Sequence, residues 1–201
     1  MSSVLNVPPS QGYIPMLRQL SVAEYHRMIQ AGILTEDDAV ELLEGYLVQK
    51  MPRNPVHDRI IQRWSRHLYA LVPAGWDIRV QCAATLPDSE PEPDFAVVRG
   101  DDRTYDNHHP GPSEIGLLVE VANTTLPQDR VDKQRIYARN GIVSYWIANL
   151  VDRQVEVYTQ PSGVSPTPAY AHRQDYPRGA HVPLLLDGLQ AALLAVEDLL
   201  P

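Results

Sequence analysis

Two acidic residues lie within apolar segments of this sequence. Asp94 directly precedes the apolar run at 95–98, and Glu120 lies near the end of the run at 115–121. Runs that are apolar without alternation are typical of strands covered on both faces. An ionised carboxylate in such a strand is costly unless a metal, a cation or a hydrogen-bond network compensates it. These two acids are therefore the first candidates for chemistry.

Lys133 follows the two acids in the chain, and the choice of lysine over arginine at this position is informative. The chain has 17 basic residues, of which only Lys50 and Lys133 are lysines. An ammonium group is a compact point charge on a flexible stem, and its pKa can be tuned in a way that the pKa of a guanidinium cannot. Two acids and Lys133 are the set of groups that metal-assisted hydrolysis of a phosphodiester requires.

The predicted strands at 95–98 and 115–121 are consecutive, and consecutive strands are usually neighbours in a sheet. If they pair, Asp94 and Glu120 can lie side by side and share a Mg²⁺ ion, which takes one or two carboxylates and keeps water as its other ligands. A metal-bound water is a hydrolytic nucleophile. Lys133 could orient that water or neutralise charge that develops on the phosphoryl group.

Lys133 belongs to a predicted amphipathic helix in which Asp129, Lys133 and Tyr137 share a face at four-residue spacing. A plainer interpretation stays open. Asp94 could cap a turn, and Glu120 could pair with a core arginine. Asp129 and Lys133 could form a surface ion pair worth about a few tenths of a kcal/mol. Spacing alone does not decide between these interpretations.

Short motifs follow one another in order along nearly the whole chain. They are Glu41-Leu-Leu-Glu-Gly45, Pro55-Val-His57, Pro93-Asp94, Glu120-Val121, Asp129-Arg-x-x-Lys133 and Gly141-Ile-x-x-Tyr145-Trp146. Each motif is unspecific by itself. The ordered set closely resembles the Uma family of endonucleases, which belongs to the PD-(D/E)XK restriction-endonuclease-like superfamily.

This resemblance implies an α/β fold with a restriction-endonuclease-like core, in which helices flank a mixed central β-sheet and an N-terminal helix and β-hairpin precede it. It implies that Asp94 and Glu120 bind Mg²⁺ (or Mn²⁺) and that DNA is the substrate. The superfamily's usual lysine lies two residues after the second acid, where this chain has Ala122. In the Uma pattern Lys133 takes that role from the following helix, and Glu41 is a further ligand or a base that positions the water.

Four other side chains with reactive or ligating groups are weaker candidates. His57 at the start of a helix could contact a phosphate or an acid, or it could simply belong to the first helical turn. His108 and His109 lie in a proline-rich loop and are expected to be solvated. Cys82 lies on the apolar face of a predicted strand and is expected to be a small buried hydrophobic residue.

Apolar periodicity predicts the elements that position these residues. The capping box Ser21-x-x-Glu24 begins a helix that runs to about Gln30. Two short strands are predicted over 40–49, with helix as the rival assignment for 36–43. Further predictions are helices at 57–71, 129–139 and 196–200, a half-buried strand at 76–86, and strands at 95–98, 115–121, 144–150, 154–158, 169–175 and 181–186.

The composition is that of an ordinary globular protein. At 201 residues, with 44% hydrophobic and 21% charged residues, the chain fits a single domain at 20–201 after a loosely held Pro- and Ser-rich arm at 1–19. No stretch approaches the roughly 20 apolar residues that span a bilayer. A single cysteine and an N-terminus without signal-peptide features lead us to expect a cytoplasmic protein.

The net charge of −8 argues mildly against nucleic-acid binding, although Arg59, Arg63 and Arg66 could form a local basic patch. The leading hypothesis is nevertheless a Mg²⁺-dependent DNA endonuclease. A catalytically silent PD-(D/E)XK-like module that binds nucleic acid or a partner protein is the alternative, since Ala122 replaces the usual lysine. A homodimer would suit cleavage of both strands of a duplex.

Overall fold

The computed structural model describes residues 17–52 and 54–201. Residues 17–21 are irregular, and residues 1–16 of the predicted arm lie outside the described residues. Within the described part of the chain, no helix combines the length and apolar character needed to cross a membrane. The assignment of residues 20–201 to a single domain stays a prediction.

The first helix, α1 (Val22–Gln30), begins at the predicted capping box. The Glu24 N–H donates to Ser21 Oγ at 3.2 Å, and the Ser21 N–H donates to Glu24 Oε2 at 2.9 Å. Two backbone donors that would otherwise lack partners at the helix start are thereby satisfied. The prediction of this helix is confirmed.

A β-hairpin and the longest helix follow. Strands β1 (Val40–Leu43) and β2 (Tyr46–Gln49) pair antiparallel, which confirms the predicted pair of strands. The rival assignment of helix to 36–43 is wrong, because only the 3₁₀ turn Glu36–Asp38 forms there. Helix α2 (Pro55–Leu71) begins two residues before its predicted start, with proline at the first helical position.

Six strands form the central sheet in the order β3-β4-β5-β6-β7-β8. Their bounds are Trp76–Val80 (β3), Phe95–Arg99 (β4), Ile115–Ala122 (β5), Ser144–Asn149 (β6), Gln154–Pro161 (β7) and Tyr170–Pro177 (β8). All neighbouring pairs are antiparallel except β5 and β6, which are parallel. A parallel pair needs a crossover connection, and here a helix supplies it. The sheet is therefore mixed, as expected.

The crossover helix α3 consists of three consecutive segments, Leu126–Gln128, Asp129–Lys133 and Gln134–Arg139. The middle segment is a π-helix, in which the Gln134 N–H donates to the Asp129 carbonyl five residues earlier. Such segments are rare and frequently occur at functional sites. The sequence predicted a uniform helix beginning at Asp129, because apolar periodicity carries no signal for a single wider turn.

Both faces of the sheet are covered, and alternate residues of β5 pack into different cores. Val119 packs into the core on the α2 face, which contains the fully buried Trp64. Leu118 and Ala122 pack into the core on the α3 face. Because successive side chains of a strand point to opposite faces, Glu120 points towards α3.

A C-terminal hairpin completes the core on the α2 face. It consists of β9 (His181–Leu186) and β10 (Leu189–Ala195), and the short helix α4 (Val196–Leu199) follows. Strand β10 was not predicted, because its apolar residues do not alternate. The connecting Asp187 and Gly188 have φ of 53° and 75°, and an Asp-Gly pair with positive φ is typical of a tight hairpin turn. That dipeptide is the signal that could have identified the strand.

The strand predicted over 76–86 is shorter than expected. β3 ends at Val80 because Gln81 takes a left-handed conformation with φ of 53°, which interrupts an extended strand. The Gln81 N–H donates to the Asp94 carbonyl at 3.0 Å. The chain therefore turns away beside the first acid. The remaining predicted helices and strands are confirmed to within a few residues.

Candidate active site

The pairing of β4 with β5 brings the two acids side by side. Phe95 lies opposite Val119 in the antiparallel register, so the preceding residue, Asp94, lies opposite Glu120. The Val121 N–H donates to Asp94 Oδ2 at 2.8 Å. The adjacency that the sequence led us to expect is found in the structure.

Lys133 lies between Glu120 and Glu41. Its Nζ is 3.0 Å from Glu41 Oε2 and 3.1 Å from Glu120 Oε1, and its side chain is only 7% exposed. The Tyr137 hydroxyl donates to the same Glu120 Oε1 at 2.8 Å. Among the residues that the structure describes, Lys133 forms no surface ion pair with Asp129 and no core arginine pairs with Glu120, so those two interpretations are wrong.

Glu41 reaches the site from the β1–β2 hairpin. The hairpin is attached to the segment that precedes β4, where the Glu90 N–H donates to the Leu42 carbonyl at 2.6 Å. The Glu92 N–H donates to Glu41 Oε2 at 3.1 Å. Glu41 therefore meets Lys133 although 92 positions separate the two residues in the chain.

The N-terminus of α2 lies at the same edge of the sheet. Asn54 caps the helix, and its Oδ1 accepts the His57 N–H at 3.0 Å. His57 Nε2 lies 3.2 Å from Asp94 Oδ2, and Gln81 Nε2 donates to Asp94 Oδ1 at 3.2 Å. His57 thus belongs to the first helical turn and also contacts an acid, so the structure combines the two roles considered for it.

Asp129 contributes a fourth carboxylate from the π-helical segment and is 4% exposed. Its backbone carbonyl accepts the Tyr145 hydroxyl at 3.2 Å. Its Oδ2 is buried and accepts no hydrogen bond from any residue that the structure describes. Since a buried carboxylate oxygen without a donor is costly, this atom is suited to receive a ligand.

These side chains line one cavity of about 130 Å³, which the predicted residues Glu41, His57, Asp94, Glu120, Asp129 and Lys133 share. Lys50, Gln81 and Glu92 also line it, and sequence reasoning missed all three. Lys50 Nζ lies 2.8 Å from Glu92 Oε2. The scarcity of lysine was a signal for Lys50, because both lysines of the chain lie at this cavity.

Burial and charge repulsion shift the acid–base behaviour of the cluster. Burial raises the pKa of Glu120 to about 8, an increase that Lys133 opposes and the neighbouring carboxylates reinforce. Burial likewise raises the pKa of Asp129 to about 6. Burial alone would lower the pKa of Lys133, but the carboxylates around it hold that pKa well above its ordinary value. The ammonium therefore stays charged, Glu120 retains its proton near neutral pH, and Asp129 loses its proton above about pH 6.

We expect the metal-free protein to lose stability as the pH rises. The folded-state pKa values of Glu120 and Asp129, about 8 and about 6, lie above their ordinary values of 4.5 and 3.8. The folded state therefore binds more protons than the unfolded state, and the free energy of unfolding falls between about pH 4 and pH 8. Lys133 does not alter this window, because its raised pKa affects stability only above its ordinary value of 10.5.

Urea unfolding in EDTA across this pH range measures the effect. Glu120→Gln serves as the comparison, since an amide does not ionise and most of the decline should disappear. A wild-type profile as flat as that of the variant would contradict the assignment of the raised pKa to Glu120.

The site suits a cation that is bound by oxygen and keeps several waters. Asp94 and Glu120 present adjacent carboxylates, and Asp129 adds an oxygen without a donor. In residues 17–52 and 54–201, no group of three or more His, Cys, Asp or Glu side chains forms a ready-made ligand set. Mg²⁺ usually takes only one or two protein carboxylates, so these residues fit Mg²⁺ or Mn²⁺.

The mixed six-stranded sheet is covered by helices and has one acid directly before β4 and the other on β5, and it defines a restriction-endonuclease-like α/β protein. A family model described as "Putative restriction endonuclease" (Uma2) matches residues 22–197, and the chain belongs to this family. The crystal structure of "a putative nuclease belonging to DUF820" from Anabaena variabilis aligns with a TM-score of 0.64 at 17% identity, over 90% of this chain and 97% of that chain. This similarity confirms the expected fold. No curated protein sequence matches the chain.

Proposed function

We propose that this protein is an endonuclease that hydrolyses phosphodiester bonds of DNA with a divalent cation, Mg²⁺ or Mn²⁺. The observation that carries the proposal is the convergence of Asp94, Glu120 and Lys133 in one cavity. Three separate parts of the fold each supply one of these groups, since Asp94 directly precedes β4, Glu120 lies on β5 and Lys133 lies on α3. Membership of a family described as restriction endonucleases supports the same class of reaction.

Asp94 and Glu120 are the residues that would hold the cation, which when bound lowers the pKa of a coordinated water towards neutrality. Asp94 is oriented for this role, because the Val121 N–H and His57 Nε2 contact one carboxylate oxygen and Gln81 contacts the other. Groups that fix a ligand in this way raise metal affinity by removing alternative orientations of the carboxylate.

Lys133 supplies a fixed positive charge beside the acids. Its bonds to Glu41 and Glu120 hold the ammonium in place, and its raised pKa keeps it charged. A preorganised charge in a buried site stabilises developing negative charge more strongly than water does. Glu41 is proposed as a further ligand or as the base that positions the attacking water.

DNA remains the proposed substrate although the net charge is −8. The four acids of the site contribute to that total, and a cation bound among them offsets part of it locally. Weak binding at physiological salt follows from the acidic surface. A cytoplasmic location and a homodimer that cuts both strands complete the proposal.

Plasmid nicking at low salt, with Mg²⁺ or Mn²⁺, tests this proposal. We expect supercoiled plasmid to be converted to nicked or linear forms, and conversion to stop when EDTA is added. A preparation that binds the metal but cuts neither DNA nor RNA in any of these conditions would contradict it.

A catalytically silent module is the second candidate, and one contact favours it. The Lys133 ammonium bonds to both Glu41 and Glu120, so it already neutralises charge that a metal would otherwise neutralise. Ala122 also occupies the superfamily's usual lysine position. Metal-independent binding of DNA without cleavage would favour this candidate over the enzyme.

A further inference from the structure

A second cavity of about 660 Å³ adjoins the candidate active site. Lys50, Gln81 and Glu92 line both cavities and separate them. Arg79 and Cys82 line the second cavity only. A chain-like ligand in the first cavity could therefore extend past Lys50, Gln81 and Glu92 into the second cavity.

Arg79 has no anionic partner within the described residues. Its Nη2 lies 3.3 Å from His109 Nδ1, and its Cζ lies 5.3 Å from the centre of the Tyr105 ring. Its Nε is buried and has no hydrogen-bond acceptor among those residues. In contrast, the other partly buried arginines that the structure describes have an acceptor oxygen: a carboxylate for Arg130, Arg135, Arg139 and the Leu200 carbonyl for Arg63.

Two of the acids that line the second cavity, Glu90 and Glu92, are already matched by other groups. His26 Nε2 lies 2.7 Å from Glu90 Oε2, and the Thr85 hydroxyl donates to the same oxygen at 2.8 Å. Lys50 is paired with Glu92. Of the charged groups that line this cavity, Arg79 and the exposed Glu36 are therefore the two without a described partner of opposite charge, and Arg79 is the cation of that pair. A partly buried cation whose N–H donor has no hydrogen-bond acceptor is suited to bind an anion. The planar guanidinium matches the geometry of a phosphate.

The position of Arg79 relates this anion site to the candidate catalytic acids. Arg79 lies two residues before Gln81, and Gln81 contacts Asp94. The Cα atoms of Arg79 and Gln81 are roughly 6.6 Å apart in extended chain, so the residue that carries the guanidinium is a close strand neighbour of a residue that contacts the first acid. β3 is an edge strand of the sheet, which leaves this side of the site open to a long ligand.

We propose that Arg79 and the second cavity form a subsite for a phosphate of the substrate strand next to the phosphate that is cleaved. This inference rests on the proposed nuclease function. It assigns the second cavity to the same nucleic-acid strand that enters the first.

Binding of a single-stranded DNA of about 12 nucleotides, with phosphorothioate linkages and in EDTA, tests the subsite without cleavage. We expect Arg79→Gln to weaken binding by about tenfold and to reduce the slope of log affinity against log salt by about one. Arg103→Gln is the matched control, because Arg103 is exposed and its side chain forms no hydrogen bond or ion pair with the residues that the structure describes. Equal binding by wild type and Arg79→Gln, or no binding by wild type, would overturn the proposal.

Cys82 offers a second readout that requires no substitution. It is the only cysteine of the chain, it is free, and it lines the second cavity. We expect the oligonucleotide to slow alkylation of Cys82 by iodoacetamide severalfold, and inorganic phosphate at the same phosphate concentration to leave it unchanged. Equal protection by inorganic phosphate would identify a free-anion site and would overturn the assignment to a strand.

The two proposals fail in different ways. Protein that binds the oligonucleotide through Arg79 but cuts no plasmid would contradict the nuclease and leave Arg79 as a phosphate contact for a strand that is bound without cleavage. A nuclease whose binding is unaffected by Arg79→Gln would contradict the subsite alone. The melting temperature of Arg79→Gln, compared with that of wild type, establishes that the variant is folded.

Discussion

Asp94→Asn should abolish plasmid cleavage while leaving the fold intact. The substitution removes the negative charge that would hold the cation, and we expect the rate to fall at least about a thousandfold, or about 4 kcal/mol of activation free energy. The fold should survive, because the asparagine oxygen can still accept the Val121 N–H at the position of Oδ2. Removing one of four clustered acids also reduces their repulsion.

Nicking rates and melting temperatures, each measured with Mg²⁺ and with EDTA, check this prediction. Asp102→Asn is the control, since Asp102 is an exposed residue of the loop after β4 and does not line the cavity. In EDTA we expect Asp94→Asn to melt at or above the wild-type temperature, and Mg²⁺ to stabilise the variant less than wild type. Near-normal cleavage by the variant would exclude Asp94 as a metal ligand.

Lys133→Met should reduce the cleavage rate by about a hundred- to thousandfold, the range typical of deleting one electrostatic stabiliser. It should also destabilise the metal-free protein, because Glu41 and Glu120 lose the ammonium that bonds to both. Removing one partner of a buried ion pair lowers the free energy of unfolding by about 3–5 kcal/mol. Saturating Mg²⁺ should recover much of that stability, since the cation replaces the missing positive charge.

Rates are therefore compared at saturating Mg²⁺, where the variant is folded. Lys133→Arg should not restore activity, because a planar guanidinium does not fit the buried position of a 7%-exposed ammonium. Lys50→Met is the matched control, because Lys50 lines the same cavity but pairs with Glu92 instead of the central acids. If Lys133→Met cuts at the wild-type rate in these conditions, Lys133 has a structural role only.

Local physical chemistry made much of this site predictable from the sequence. Asp94 and Glu120 stand out because ionised groups at doubly covered strands must be compensated. Lys133 stands out because the chain otherwise uses arginine almost throughout. Helix α1 was predicted from a capping box, since the bonds that form it join residues only three positions apart. Features of this kind can be recognised from the residue types within a short segment of the sequence.

The sequence by itself determined most of the elements, although not β10, and which of their residues carry charge into apolar surroundings. Only the tertiary structure decided how those residues meet. Glu41 reaches Lys133 through a hairpin attached far along the chain, and no local pattern records that attachment. The left-handed Gln81, which ends β3 beside Asp94, and the π-helical turn at Asp129–Lys133 depend on backbone conformations that many sequences share. Contacts between distant segments depend on how the whole chain packs. For this reason only the tertiary structure showed that Lys50, Gln81 and Glu92 belong to the site.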